Sequence, residues 1–159
     1  MHFVAFVTIE NVTINGPMTL ELERFLPYRL NRLADVISRD FAKIYRDRYG
    51  LTRPEWRLLA ALGQYERMTA TAVGQHSAMH KTKVSRAVSA LEKRLWLKRS
   101  PSAEDRRVEH LTLTKAGQAA YRELVPFAKS FEDNLLANMS PTDRDAVLRG
   151  LAALERAGG

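Results

Sequence analysis

The chain has 159 residues, of which 45% are hydrophobic, so it is long enough for one globular domain with a sizeable core. It contains no cysteine, which excludes disulfides, cysteine-based zinc sites, thiol nucleophiles and thiol redox sensing. Its formal net charge of +7 indicates a polyanionic partner, although a basic protein can also be merely soluble.

The first 16 residues begin with an apolar run that matches no export signal. They lack a basic n-region and a small-residue cleavage site, and Glu10 interrupts the run, so we do not expect a signal peptide. The chain has no apolar stretch long enough to cross a membrane, and we expect a cytoplasmic protein. Three interpretations of residues 1–16 stay open: a short strand, an arm packed on a partner subunit, or a mis-assigned start.

Helical periodicity starts at Pro17 and predicts a long first helix that ends near Gly50. Its apolar stripe steps by three or four residues and consists of Leu26, Leu30, Leu33, Ile37, Phe41 and Ile44. A capping box at 52–55, with proline in the first turn, predicts a second helix that ends at Gly63.

The centre of the chain has the pattern of a helix–turn–helix. A short helix is expected from the Thr69 cap to about Ser77, followed by a turn at 78–80 and a longer helix from Lys81 to Arg94. Residues 100–114 are first turn-rich and then alternate, which predicts a β-hairpin. Because a lone hairpin is marginal in water, this one should lean on a neighbour.

Two helices are expected to follow the hairpin. Thr114 caps a long one that reaches about Asn138 and is bent at Pro126. Ser140 caps the last one, which reaches about Arg156. The predicted fold class is therefore mainly α with a small β-hairpin.

The positive charge is concentrated between positions 80 and 107. This stretch holds nine lysines and arginines and three acidic residues, so it carries +6 of the chain's net +7. A solvated charge run would give the same composition. The pattern on the helix at 81–95 separates the two interpretations.

That helix has an apolar seam and a basic face. Val84, Val88, Leu91 and Leu95 fall within an arc of roughly 60°. The side chains expected to contact DNA are Lys81, Thr82, Lys83, Ser85, Arg86 and Ser89. Arginine and lysine can donate to guanine O6 and N7, and the hydroxyls can serve bases or phosphates. An amphipathic helix with a solvated basic face is the plain alternative, but the helix–turn–helix pattern favours DNA.

Residues 69–117 resemble the winged helix-turn-helix of the MarR family of bacterial transcriptional regulators. The stretches that carry the resemblance are MHKTKVSRAV at 79–88, LE at 91–92, EDRR at 104–107 and LTLTKAG at 111–117. It extends outward to FLPYRL at 25–30 and EWR at 55–57, and covers roughly residues 20–156.

The resemblance implies an obligate homodimer on an inverted-repeat operator in double-stranded DNA. Helices in 17–50 and 115–159 would form the dimerisation region, and 51–114 the DNA-binding lobe. In each subunit the helix at 81–94 would enter a major groove, and the hairpin, or wing, would reach a minor groove.

The same resemblance implies roles for three residues of the wing. Arg107 is the expected minor-groove residue, Arg106 a phosphate contact, and Asp105 the residue that holds the wing turn. The chain departs from the family where glycine is common, at Ala78 and Leu95, and at Ser77, where leucine is common. Because leucine does not easily take a left-handed backbone, we expect the exit from the helix into the wing to differ locally.

MarR-like proteins commonly bind a small phenolic or carboxylated effector between the dimerisation region and the DNA-binding lobe, and operator affinity then falls. The residues expected to line such a pocket are Tyr28, Arg29, Arg32, Trp56 and Arg57. The ring of an aromatic acid would lie between the two aromatic side chains, and an arginine would take its carboxylate. Two alternatives stay open: Trp56 belongs to the core, and Arg29 and Arg32 pair with acids across the dimer.

No pattern in the chain indicates an enzyme, a cofactor or a metal site. The four histidines lack metal-ligand spacing, and no nucleophile–base pair or glycine-rich phosphate loop is recognisable. The leading prediction is a dimeric, sequence-specific repressor that a small effector releases from DNA. The alternatives are a winged-helix module that binds protein without reading DNA, and a regulator that acts as an activator.

Overall fold

Six α-helices and three short β-strands make up most of the computed structural model, which describes residues 19–105 and 107–158. In chain order the elements are α1 (Leu26–Tyr49), α2 (Arg53–Tyr65), β1 (Arg67–Thr69), α3 (Ala70–His76), α4 (Lys81–Lys93), β2 (Leu97–Pro101), β3 (Glu109–Leu113), α5 (Lys115–Ala137) and α6 (Pro141–Gly158). The mainly helical fold class is confirmed. The segment 1–16, for which three interpretations stay open, lies outside the described residues.

The first helix begins at Leu26, so the prediction that it starts at Pro17 is wrong. Residues 21–24 form a turn instead, in which Arg24 N and Phe25 N both donate to Glu21 O, at 2.9 and 3.1 Å. Pro27 explains the difference. Proline has no N–H and its ring clashes with the carbonyl four residues earlier, so it is favoured in the first turn of a helix, where Pro27 lies in α1.

The predicted caps of the other helices are present. The Thr52 side chain and Glu55 form the capping box of α2, in which Thr52 N donates to Glu55 Oε2 at 2.9 Å. Thr69 and Thr114 cap α3 and α5 through their side-chain oxygens. The predicted end of α2 at Gly63 is two residues short, since the helix continues to Tyr65.

The hairpin is part of a three-stranded antiparallel sheet with the order β1-β3-β2. β1 has three residues, pairs with β3 and directly precedes α3. The sequence did not predict this strand, because three residues are too few to show alternation. The sheet explains how a hairpin that would be marginal alone is stabilised at its base.

The core joins the helix–turn–helix to the C-terminal half of α1 and to α5. Its fully or almost fully buried members include Tyr45, Leu51, Leu58, Leu59, Leu62, Val73, Val84, Val88, Leu91, Leu111 and Leu124. Burying a leucine or valine side chain contributes about 1.5–3 kcal/mol, so this cluster sets the position of α4. Among the residues that the structure describes, no helix is long and apolar enough to span a membrane.

Leu95 contradicts two of the predictions. It does not belong to the apolar seam of α4, since the helix ends at Lys93 and Leu95 is 76% exposed. It also adopts the left-handed backbone that we expected leucine to avoid, with a φ of 60°. Trp96 N donates to Leu91 O at 2.9 Å and Leu95 N donates to Glu92 O at 2.8 Å, which is the pattern of a Schellman motif.

The turn between α3 and α4 also has a left-handed residue and the hydrogen-bond pattern of a Schellman motif. Ala78 has a φ of 48°, Met79 N donates to Gly74 O at 2.9 Å, and Ala78 N donates to Gln75 O at 3.4 Å. Ala78 and Leu95 thus keep the left-handed backbone with a side chain present. The helix–turn–helix geometry is intact without glycine at these positions, and strain is stored at its turn and at the exit from α4.

Leu95→Gly is expected to raise the free energy of unfolding by about 0.5–1 kcal/mol. A left-handed leucine costs about 1–2 kcal/mol, which outweighs the backbone entropy that glycine loses on folding. Urea denaturation at a fixed protein concentration measures the change. Leu95→Ala is the matched control, because it removes the same exposed side chain and keeps the strain; equal stability changes in the two variants would contradict the strain.

Candidate nucleic-acid interface

Helices α3 and α4 form a helix–turn–helix that is capped at the start of each helix. Thr69 Oγ1 accepts a hydrogen bond from the backbone N–H three residues later at 3.1 Å, and His80 Nδ1 accepts one from the N–H two residues later at 3.4 Å. Gly74 permits the close approach of the turn, because a Cβ there would lie 3.1 Å from Met79 O. The turn and its two helices are therefore fixed by backbone contacts.

Helix α4 has one buried and one exposed face. Val84, Val88 and Leu91 pack into the core. All six of its side chains predicted to contact DNA are exposed: Lys81, Thr82, Lys83, Ser85, Arg86 and Ser89. This face presents guanidinium, ammonium and hydroxyl donors, which are the groups that bind base edges and phosphates.

The loop between β2 and β3 is closed by its own hydrogen bonds. Ser102 N donates to Val108 O at 2.8 Å, and Val108 N donates to Asp105 O at 2.9 Å. Asp105 Oδ1 accepts a hydrogen bond from Arg107 N at 2.9 Å and lies 3.9 Å from Arg107 Nε. The Arg107 side chain is 95% exposed, so it projects from a tip that Asp105 shapes. Arg106 is not among the described residues.

A network of three charged residues, which the sequence did not predict, joins α4 to both strands of the hairpin. Arg99 on β2 donates from Nε and Nη2 to Glu92 Oε1 and Oε2 on α4, at 2.8 and 3.1 Å. Its Nη1 donates to Glu109 Oε2 on β3 at 3.0 Å. Hydrogen bonds to Glu92 and then to Glu109 raise the pKa of Arg99 further above its ordinary value. Glu92 lies 7 positions from Arg99 in the sequence and Glu109 lies 10 positions from it, so no local spacing rule indicates these contacts.

Arg94, another basic residue of the central stretch, is bound to the end of α1. Its Nη1 donates to Tyr49 O at 2.8 Å and its Nη2 to Gly50 O at 3.3 Å. A cation is favourable at the carbonyl end of a helix. The Tyr49 hydroxyl in turn donates to Glu123 on α5, and this hydrogen bond raises the pKa of Tyr49. The C-terminal end of α4 is thus tied to α1, and α1 to α5.

Comparison with known proteins agrees with this geometry. A model of the MarR family matches residues 49–108, which contain the helix–turn–helix and the wing tip. The chain is 29% identical to the crystallised MarR family transcriptional regulator SPO1453 from Silicibacter pomeroyi DSS-3, with a TM-score of 0.71 over 86% of this chain and 98% of that one. Both matches are to MarR-family transcriptional regulators, which the chain therefore resembles.

Two curated relatives are also transcriptional regulators. The chain is 27% identical over 125 residues to the uncharacterized HTH-type transcriptional regulator YwoH of Bacillus subtilis (strain 168), a match that covers 79% of this chain and 90% of YwoH. It is 37% identical over 67 residues to the transcriptional repressor MprA of Escherichia coli (strain K12), which covers 42% of this chain and 38% of MprA. The proteins to which the chain is similar are therefore transcriptional regulators.

Three of the residues expected to bind an effector lie together near the start of α1. The chain divides into two compact units, of which the first ends at Ile37. Within it, Tyr28, Arg29 and Arg32 line one groove of about 490 Å³. The Arg32 guanidinium lies 5.7 Å from the centroid of the Tyr28 ring.

The other two expected effector residues belong to the second unit and have partners there. The Trp56 ring stacks on Tyr45 with 5.7 Å between centroids and meets Phe41 edge-on at 5.3 Å. Arg57 Nη1 donates to Ser77 O at 3.1 Å, at the C-terminal end of α3. Both side chains therefore contribute to the packing of the DNA-binding lobe.

Proposed function

We propose that this chain is a MarR-type regulator that binds double-stranded DNA sequence-specifically, as a homodimer, and represses transcription from an inverted-repeat operator. The observation that carries the proposal is the exposed face of α4, on which six donor side chains lie opposite a buried apolar seam. An α-helix fits the major groove, and arginine and lysine on it can bind guanine edges. The naming of the relative MprA as a transcriptional repressor favours repression over activation.

The contacts divide between bases and backbone. Arg86 and Ser89 lie in the middle of α4 and would contact base edges, whereas Lys81 and Thr82 lie in its first turn, where the positive end of the helix dipole favours phosphate. At the wing, Arg107 would enter the minor groove. Its loose pairing with Asp105 leaves the guanidinium available, and a narrow minor groove attracts arginine. Arg106 would contact phosphate.

The proposed dimer buries apolar side chains that the single chain leaves exposed. No residue of α6 is buried, and Val147, Leu148, Leu151 and Leu154 form an exposed stripe along it. Leu22, Leu26, Leu30 and Leu33 are exposed near the start of α1. Patches of this kind mark interaction surfaces, and regulators of this family are usually dimers. We assign both stripes, in 17–50 and 115–159, to a second copy.

An aromatic acid is the proposed effector. In the groove near the start of α1, Tyr28 would contact its ring and Arg29 or Arg32 its carboxylate. Trp56 also lines a groove of about 360 Å³ between α2 and α5, where Lys129 supplies a further cation and Tyr121 a further ring. A ligand that prefers one arrangement of the subunits over another lowers operator affinity by that difference.

Selection of binding sites from random double-stranded DNA tests the function. Purified protein is expected to enrich one inverted repeat whose half-sites are about one helical turn apart. Recovery of unrelated sequences, bound with an affinity that falls steeply with salt, would show non-specific binding only and would contradict the proposal. The alternative of a protein-binding module predicts no enrichment at all.

Arg107→Ala is expected to lower operator affinity by about tenfold when the flank reached by the wing is A·T-rich, because the narrow groove holds the guanidinium most strongly there. On a G·C-rich flank the loss should be two- to threefold. Fluorescence anisotropy with the two flanks at one salt concentration measures the difference. Equal losses on both flanks would place Arg107 on phosphate instead.

A further inference from the structure

The strand β2 directs two neighbouring cations to opposite faces of the sheet. Successive side chains of a strand alternate, so Lys98 and Arg99 point in opposite directions. Lys98 lines an open groove with Arg67 and Arg122. Arg99 turns toward α4, and its partners are the carboxylates of Glu92 on α4 and Glu109 on β3.

The bond between Arg99 and Glu92 has the strongest geometry that a surface ion pair can take. Two parallel N–H···O bonds of 2.8 and 3.1 Å make it bidentate, and the remaining Nη1 is taken by Glu109. Arg99 and Glu92 are only 38% and 33% exposed. One guanidinium is thereby fixed to the helix and to both strands of the hairpin.

The outer part of the hairpin has no apolar anchor. Leu97, Leu111 and Leu113 fix its base in the core, but among the described residues of 98–110 none is buried. The paired strands are five residues long, so the tip lies about 17 Å from the base. A tilt of about 10° at the base would move the tip by about 3 Å, which exceeds the tolerance of a hydrogen bond.

We propose that Arg99 is a positioning residue for operator binding: through Glu92 and Glu109 it fixes the angle between the wing and α4, so that Arg107 and Arg86 reach the two grooves of one half-site together. This inference rests on the proposed DNA-binding function. Arg99 itself is not proposed to contact DNA, since its Nε, Nη1 and Nη2 each donate to a carboxylate.

The test compares Arg99→Gln with Lys98→Gln, its neighbour on the same strand with the same change of charge. Arg99→Gln is expected to weaken operator binding about tenfold, and Lys98→Gln about twofold, which is the effect of one lost cation. Arg99→Lys keeps the charge and cannot bond bidentately, so its loss should be intermediate. Equal losses for Arg99→Gln and Lys98→Gln would overturn the proposal.

A double-mutant cycle separates positioning from mere loss of charge. If Arg99 positions the wing, Arg107→Ala should cost about tenfold alone and less than twofold in the presence of Arg99→Gln. The triple variant Glu92→Gln/Arg99→Gln/Glu109→Gln removes the two carboxylates that Arg99 neutralises. Its affinity should stay low; restoration to the wild-type value would mean that Arg99 only screens negative charge from the DNA, and would overturn the proposal.

Hydrogen exchange without DNA makes the result independent of the proposed function. The N–H groups of Ser102 and Val108, which close the wing tip, should exchange at least fivefold faster in Arg99→Gln than in Lys98→Gln, while amides of α4 stay unchanged. Unchanged exchange at the tip would show that Arg99 does not restrain the wing and would overturn the proposal. Faster exchange in a protein that selects no operator supports the restraint and overturns the DNA-binding function instead.

Discussion

Gly117→Ala is expected to lower the free energy of unfolding by about 3 kcal/mol, at the upper end of the range for overpacking. An added Cβ would lie 2.1 Å from Trp96 O, and the contact is with backbone, which cannot rotate away as a side chain can. The first turn of α5 would have to move off the junction between α4 and the wing. Urea denaturation at a fixed protein concentration measures the loss.

Hydrogen bonds from Thr114, at the start of α5, also stabilise the junction between α4 and the wing. Thr114 N donates to Trp96 O at 3.0 Å and Thr114 Oγ1 donates to Leu95 O at 2.7 Å, while Gly117 N donates back to Thr114 Oγ1. A displaced α5 would break these hydrogen bonds as well. Gly150→Ala in α6 is the control, because nothing lies within 4 Å of a Cβ there and alanine favours a helix by up to about 1 kcal/mol. A loss below about 1 kcal/mol for Gly117→Ala would contradict the close packing.

Features that depend on a few neighbouring residues could be predicted from the sequence. A capping threonine bonds to an N–H three residues away, and a buried seam repeats every three or four residues, so Thr69, Thr114 and three of the four buried residues of α4 were predictable. The start of α1 could also have been found, since proline favours the first helical turn and the apolar stripe itself begins at Leu26.

Features that depend on strain or on distant partners could not be predicted. Leu95 has an unfavourable φ because core packing of α4 and the hydrogen bonds from Thr114 fix its neighbours, and these gains exceed a cost of about 1–2 kcal/mol. Strand β1 exists because β3 offers it a free edge. The residues next to Leu95 and next to β1 in the sequence indicate neither of these conditions.

The arginines of the basic stretch show the same limit. Arg86, Arg94 and Arg99 look alike in the sequence, yet the first is exposed, the second binds carbonyls of α1, and the third binds two carboxylates. A net charge therefore overstates the number of cations that are free for DNA. Two cations of the basic stretch, Arg94 and Arg99, hold the C-terminal end of α4. The exposed cations on the outer face of α4 are therefore more rigidly placed.

Arg86→Ala is expected to weaken binding to the selected operator by about 10- to 100-fold, or about 1–3 kcal/mol, and to do so through one base pair. Arg86 is exposed near the middle of α4, and its fork of donors matches the O6 and N7 of a guanine. A panel of operators, each with one substituted base pair, measures the effect. Wild-type protein should lose affinity at the contacted pair, and the variant should bind that substituted operator and the parent equally.

Arg86→Lys separates the charge of this side chain from its geometry. Lysine keeps one positive charge but binds as a point donor, so the slope of affinity against salt should stay at the wild-type value while discrimination at the contacted pair falls. A phosphate contact gives the opposite pattern. In that case Arg86→Ala weakens every operator of the panel alike and lowers the salt slope by about one, and Arg86→Lys binds like the wild type. The panel therefore decides whether the middle of α4 recognises sequence or only holds the backbone.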